Sequence, residues 1–531
     1  MTTSQWKALL GAAAILLVGA TGCTDPTVAP KSSVTDANFF NDPNSYRALL
    51  AKIYAGLALT GQQGPAGQPD IQSIDEGFSQ YLRLYWQLEE LPTDEAVIAW
   101  GDLGLRDLNT QQWDVGNPFV KAMYYRVFYQ VMMANEFLRQ TTGAVLAARG
   151  NVSPSLRAQI QQYRAEARFL RALSYWHGLS LFANIPLVTE DDPLGATPPQ
   201  QSTRADLYNY AVAELNAIKD SLPAPSPSTY GRATRLAAGM LLANLYLNDS
   251  VYTGTPNWSG ALTEAQTVIT SSAGLGYGLD SNYRRMFMAD NNTSPEILFA
   301  ITQDGTHTQS YGGVTFLVHA SCGGSMKPAD YGIDGCWYGL RIKPQADSFY
   351  AAGDKRPAYL YTTGQTLAVA DIGTFTNGYA APKFVNKTSL GASGSNSGFV
   401  DTDFPVFRVG EAYLIYAEAQ LRGGGGTRAQ ALAYVNALRE RAYGGTSGDI
   451  TDPELTLAYI LAERGRELLW EAHRRTDLIR FGLFTAGTYK WAWKGGVVDG
   501  TATDAKFNLY PLPANELIAN PNLKQNPGYA P

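Results

Sequence analysis

From residue 119 to residue 471, apolar side chains return at three- and four-residue steps, interrupted only in a few long stretches. That recurrence constrains the fold more than any other property of the chain, because it gathers apolar groups on one face of an α-helix. It predicts helices over residues 119–140, 156–183, 204–221, 232–248, 258–271, 411–422, 428–443 and 453–471. Phe169, Leu173 and Trp176 share such a face, so Trp176 belongs to the core, as does Trp470 on a later helix. Residues 206–218 and 233–247 make a pair of about the length of a tetratricopeptide unit, and the four glycines 423–426 supply a turn between two further helices. The expected fold is mainly all-α: at least four antiparallel helix pairs in a tetratricopeptide-like scaffold, each burying its apolar face on the next.

Three stretches break the pattern. Residues 61–69 form a Gly/Pro/Gln loop, residues 91–118 are polar with interspersed Trp, and residues 280–403 are loop-rich with short strand-like runs such as 297–301. Irregular insertions of this length in a folded protein are usually functional. The helices are therefore the platform and the insertions the working surface.

A net charge of -6 with four histidines excludes a nucleic-acid partner, which demands a clustered basic surface. His and Cys residues do not gather at metal-ligand spacing, so no metal site is expected. Lys7 precedes an apolar run over residues 8–20, too short to span a bilayer and suited to an export signal over residues 1–22. Ala20-Thr21-Gly22-Cys23 resembles a bacterial lipobox, which makes Cys23 the lipidated N-terminus of the exported chain. Residues 23–35, with Pro26 and Pro30, read as a flexible tether to membrane lipid. An ordinary secretory signal is the other reading. Export brings oxidising conditions, under which Cys322 and Cys336 either pair in a disulfide or stay as free thiols.

The last seventy residues are the most distinctive. A charge-dense helix over residues 461–482 is followed by the Asn/Pro-rich segment 510–529, Tyr-Pro-Leu-Pro-Ala-Asn-Glu-Leu-Ile-Ala-Asn-Pro-Asn-Leu-Lys-Gln-Asn-Pro-Gly-Tyr. With the segments 166–188, 231–247, 404–419 and 435–442, in that order, they resemble the SusD/RagB family. The resemblance implies a lipid-anchored protein on the cell-surface face of the outer membrane. Such a protein captures a glycan and passes it to a SusC-like TonB-dependent transporter, with no catalytic step and no cofactor. It divides the chain into an N-terminal half over residues 36–280 and a C-terminal half over residues 281–531. A peptide-capturing RagB-like importer subunit, a protein-binding repeat adaptor and a glycoside hydrolase are the alternatives.

Within residues 461–482, Glu467 and Glu471 repel at four-residue spacing unless cations flank them, and Arg464, Arg474 and Arg475 are placed to do so. This network is read as docking the helix against the scaffold, and residues 510–529 as an extended closing strap. The adjacent pair Asp94 and Glu95 reads as caps or surface charge rather than the two opposed acids of a glycosidase. His177 and His473 read as packing residues. A glycan site needs flat aromatic faces for sugar C–H surfaces and polar groups for hydroxyls. The insertions offer Trp100 and Trp337 as stacking platforms, Tyr338 as a further aromatic, and Asp94, Asp102 and Arg341 as hydroxyl partners.

Overall fold

The computed structural model describes residues 36–530 apart from Ser73, Leu194 and Ala196, so the export segment, Cys23 and the tether lie outside the described residues. The chain forms two units, Met1–Tyr46 and Arg47–Pro531. In the first, a short helix spans Asp36–Phe39, and the Phe40 ring lies 5.1 Å from that of Tyr46.

The second unit is mainly α-helical. Its principal helices are α1 (Ser45–Ala58, in this unit from Arg47 onward), α2 (Tyr81–Glu90), α3 (Leu105–Thr110), α4 (Pro118–Gln140), α5 (Pro154–Phe182), α6 (Arg204–Ile218), α7 (Arg235–Leu247) and α8 (Trp258–Gly274). They continue with α9 (Gly313–Ala320), α10 (Val409–Leu421), α11 (Arg428–Tyr443), α12 (Leu457–Leu468), α13 (Arg474–Arg480) and α14 (Ala514–Ala519). Side-chain caps set the starts. Asn117, Ser153, Thr203, Thr234, Asn257, Thr427 and Thr456 each accept a backbone N–H of the first turn. Pro118 and Pro154 add a first-turn proline, where no N–H is needed. Successive helices pack as neighbours, α4 on α5 on α6 and α7 on α8 on α10 on α11, in keeping with the expected paired scaffold. One apolar core draws on Trp86, Phe169 and Leu241 as well as Phe407 and Trp470, residues from both sides of position 280.

The continuous helix expected over residues 461–482 is two helices. The chain leaves α12 at Leu469, Trp470 and Ala472 take φ of 63° and 62°, and α13 resumes at Arg474. A left-handed backbone at two non-glycine residues is costly and persists only where the surroundings fix it. Here Trp470 N donates to Glu95 Oε2 at 3.1 Å, and its carbonyl accepts from Trp86 Nε1 at 2.9 Å. Glu467 of α12 and Glu471 in the break after it are also paired otherwise than their spacing suggested. Glu467 takes Arg408 at 2.6 Å, Arg356 at 3.0 Å and Arg441, and Glu471 takes Arg408 at 2.6 Å and Lys383 at 2.7 Å. Arg464, Arg474 and Arg475 go instead to Asp477, Asp94 and Glu89. All of these groups are buried, so the network ties α12 and α13 into the scaffold from within.

The closing segment is likewise more than an extended strap. It carries α14 and folds back on itself through Gln525, which brackets Leu512 from both sides. Asn526 Nδ2 donates to Phe182 O and Tyr510 O, and the Tyr510 hydroxyl donates to Leu88 O.

Two short antiparallel ladders complete the described architecture. β1 (Ala96–Ile98) pairs with β3 (Leu340–Ile342), with Val97 opposite Arg341, and β2 (Ile297–Ile301) pairs with β4 (Phe404–Arg408). The first ladder positions the candidate site. It joins the insertion over 91–118 to the one over 280–403, so Trp100 emerges from one strand beside Trp337 entering the other.

Candidate functional site

The end of β1 is held tightly. Ile98 exchanges two hydrogen bonds with the Asn109 side chain, at 3.1 Å and 3.0 Å, and Ala99 N donates to Gly339 O at 2.9 Å. Trp100 therefore leaves the strand in a fixed direction. Its Nε1 donates to the Trp337 carbonyl at 2.9 Å, and its ring meets Phe316 edge-on at 5.7 Å and lies 6.4 Å from the Trp337 ring. Gly339 lies beneath it: a Cβ there would come within 2.9 Å of the indole, so only glycine admits this approach.

Trp337 is set by α9. Its N–H donates to His319 O at 2.9 Å, and its indole stacks on the His319 imidazole with centroids 4.6 Å apart and planes 24° apart. His319 Nδ1 donates to Gly335 O at 2.8 Å, and burial holds the imidazole pKa below its ordinary value, so it stays neutral at pH 7. Tyr311, 41% exposed, extends the row 6.3 Å beyond Trp337, backed by Phe399 at 5.3 Å. Tyr338, 51% exposed, follows Trp337 directly, and its ring meets Phe375 in an edge-to-face contact at 5.6 Å.

Arg83 of α2 supports this row from below. Its guanidinium lies 4.2 Å from the Phe316 centroid, 4.3 Å from Phe78 and 5.4 Å from Trp100, and Nη1 donates to Tyr311 O at 3.1 Å. Burial brings its pKa down to about 9, opposed by the exposed carboxylates Asp75 and Asp102, so it remains charged at pH 7. Cavities of about 420 Å³ and about 820 Å³ lie elsewhere, the first lined by Arg168, Arg171 and Glu214, the second by Tyr125, Phe128 and Leu523. The aromatic row is a ledge of part-exposed rings, with the exposed carboxylates Asp75 and Asp102 beside it. Such a surface can hold the apolar faces of a chain-like ligand without enclosing it.

The structure brings together Trp100, Trp337 and Tyr338, and leaves Asp102 exposed two residues beyond Trp100. It places Asp94 and Arg341 elsewhere than a hydroxyl partner must stand, and both readings are corrected. Asp94 is fully buried, gripped by Arg474 at 2.8 Å and 2.6 Å and by the Tyr489 hydroxyl at 2.5 Å. Burial opposes its ionisation, but Arg474 and Tyr489 outweigh that and hold the carboxyl below the usual range. Arg341 is also fully buried and spends its guanidinium on the carbonyls of Gly339, Ile372, Thr374 and Asn377. Neither reaches the surface of the ledge; Arg341 holds the Gly339 carbonyl beneath it, whereas Asp94 is occupied with Arg474 and Tyr489. Glu95, read as a cap or surface charge, is buried against Trp470. His177 and His473 pack inside as expected, and Trp113 is core, its Nε1 donating to the Tyr529 hydroxyl at 2.8 Å. Cys322 and Cys336 are joined in a disulfide.

Tyr311 and Arg83 were not singled out from the sequence. The available signal for Tyr311 was its place before Gly312 and Gly313 in the long insertion; Arg83 carried none, being a lone cation outside the insertions.

Comparison with known proteins bears on the whole chain. The SusD family model matches residues 297–529, and a second, described as starch-binding associating with outer membrane, matches residues 80–247. The chain is 35% identical to the starch-binding protein SusD of Bacteroides thetaiotaomicron, with 100% of each sequence covered. It is 25% identical to a SusD-like protein of Formosa agariphila, over 97% of this chain and 98% of the other. Among solved structures, a SusD homolog from Bacteroides thetaiotaomicron superposes with TM-score 0.72 at 20% identity, covering 94% of this chain and 99% of that one. A surface glycan-binding protein A from the same species, in complex with laminarihexaose, superposes with TM-score 0.70 at 21% identity, covering 91% and 98%.

Proposed function

Because the chain belongs to the SusD/RagB family, we propose that it is a non-catalytic glycan-capturing protein of the outer-membrane surface. The ligand class we propose is a starch-like α-glucan, as the name of the 35% identical relative suggests. The observation that carries the reading is the ledge itself: Trp100 bonded to the Trp337 backbone, Tyr311 exposed beside the Trp337 ring, and Tyr338 exposed at the next residue. Rings offered flat on an open surface suit the alternating C–H faces and hydroxyl edges of a sugar chain, and Asp102 and Asp75 supply rim acceptors for hydroxyls. Binding there raises the local glycan concentration at the membrane, and the protein hands its cargo to a SusC-like TonB-dependent transporter. Cys23 is its lipid attachment, and residues 36–280 and 281–531 remain the two halves of the family pattern.

Affinity electrophoresis in gels containing starch, laminarin or no polysaccharide tests the reading. Retardation by starch that is lost in Trp337→Ala supports it. Equal mobility in all gels, with retention on immobilised peptides, points to a peptide importer, and release of reducing sugar establishes a hydrolase. Cys23→Ser, expressed in a bacterium that displays such proteins, tests the anchor: loss of acylation and of surface exposure is the expected result.

A further inference from the structure

We infer that the Cys322–Cys336 disulfide, acting with His319, is the positioning element of the aromatic ledge, fixing the Trp337 and Tyr338 rings before a glycan arrives. The inference rests on the glycan reading of that ledge and adds to it how the rings are held.

The bridge sits where the ledge meets its support. Cys322 is fully buried two residues beyond α9, and Cys336 directly precedes Trp337. Three successive N–H groups of the ledge then read the end of α9: Trp337 donates to His319 O, Tyr338 to Cys322 O and Gly339 to Ala320 O, each at 2.9 Å. His319 closes the arrangement by stacking under the Trp337 indole while donating to Gly335 O, the residue before the bridge. Tyr338 takes φ of 53°, a conformation that a side-chain-bearing residue keeps only when its neighbours over-determine it. Its phenol has one ring neighbour, Phe375, and is otherwise half in solvent. The backbone on the bridged side must therefore hold it. The loop closed by the bridge, residues 323–335, is rich in glycine and anchored through buried Met326 and Ile333 and through Asp334 N, which donates to Ser397 O; the bridge adds a covalent anchor directly beside Trp337. Binding is tighter when side chains that must be ordered are ordered beforehand.

A bridge that only stapled the loop would raise the unfolding temperature and leave affinity alone. The two roles separate in Cys322→Ser/Cys336→Ser, measured against maltoheptaose by calorimetry at a temperature where far-UV circular dichroism shows the fold intact. We expect Kd to rise about tenfold, with the tryptophan near-UV signal flattened. Wild-type protein reduced with dithiothreitol, which supplies two electrons and two protons and closes to its own cyclic disulfide, should weaken likewise and recover on reoxidation. A double-serine variant that binds within twofold of wild type overturns the inference. If that variant does not fold, an unchanged Kd in the reduced wild type, with free thiols verified by alkylation, overturns it instead. If oxidised wild type fails to bind maltoheptaose at all, the glycan reading falls. The ordering claim then stands or falls on whether reduction alters the near-UV tryptophan signal.

Discussion

Trp100 Nε1 donates a hydrogen bond to the backbone carbonyl of Trp337 across 2.9 Å, joining two residues 237 positions apart in the chain. Each indole thus fixes the other, one through its ring nitrogen and one through its backbone. The ledge is therefore a product of two insertions held together by the β1–β3 ladder rather than of either alone.

Trp100→Phe keeps an aromatic ring and removes the donor. Its effect on starch-type glycan affinity should be a loss of about two- to tenfold, the net value of one hydrogen bond. Trp337→Ala removes a whole face and should cost about 2 kcal/mol or more, as central aromatic contacts do. Calorimetric titration with maltoheptaose compares the two; equal affinities for all three proteins would remove the ledge from binding.

Asp94→Ala leaves Arg474 buried without its main partner. Breaking one side of a buried ion pair costs about 3–5 kcal/mol, so the urea midpoint should fall steeply. Glycan affinity, measured while the variant is still folded, should match wild type. A lowered affinity with unchanged stability would return Asp94 to the site.

Acid should unfold the protein through α12. Burial opposes the ionisation of Glu463, but Arg356, Arg466 and Arg439 overcome it and set the pKa at about 2. A folded pKa below the unfolded one gives stability that is complete above about 4.3, the unfolded carboxylate value, and is lost as pH falls toward about 2. Glu463→Gln should show a lower midpoint at pH 7 and a shallower fall between pH 5 and pH 2 in urea denaturation.

Glu95 should act in the opposite sense. Burial raises its pKa above the ordinary carboxylate value even though Arg474 opposes this. Its stabilising protonated form is complete below the unfolded pKa, and its contribution declines as pH rises through the raised folded value. Glu95→Gln, neutral at every pH, should flatten the decline in stability above about pH 5; an unchanged slope would show that Glu95 is ionised in the fold.

Tyr529→Phe keeps a ring against Phe507 but takes the acceptor from Trp113 Nε1. A buried donor left alone costs about 1–3 kcal/mol, readable as a lower melting temperature with glycan affinity intact.

The long helices, the turn at 423–426 and the strand at 297–301 were legible in the sequence, because three- and four-residue periodicity and glycine runs are local signals. The family resemblance was legible for the same reason. α2 was not singled out, although Arg83, Gln87 and Glu90 share one face of it: the helix is short, and that polar face is buried with the rest. The break at Leu469 was hidden too, since residues 461–482 carry an unbroken helical pattern and the backbone turns only because Glu95, Trp86 and Glu90 wait for it.

The candidate site divides along the same line. Aromatic residues in polar insertions singled out Trp100, Trp337 and Tyr338, which the structure leaves part-exposed or exposed, from the composition around each residue. Asp94 and Arg341 share that polar neighbourhood yet are fully buried, one on Arg474 and the other on four backbone carbonyls. Whether a charge faces water or a partner depends on which distant segment arrives beside it, and chain-local patterns hold no record of that. Helix placement was written in nearest neighbours; the choice of which polar groups remain at the surface was made by tertiary contacts, 380 residues apart for Asp94 and up to 36 apart for Arg341.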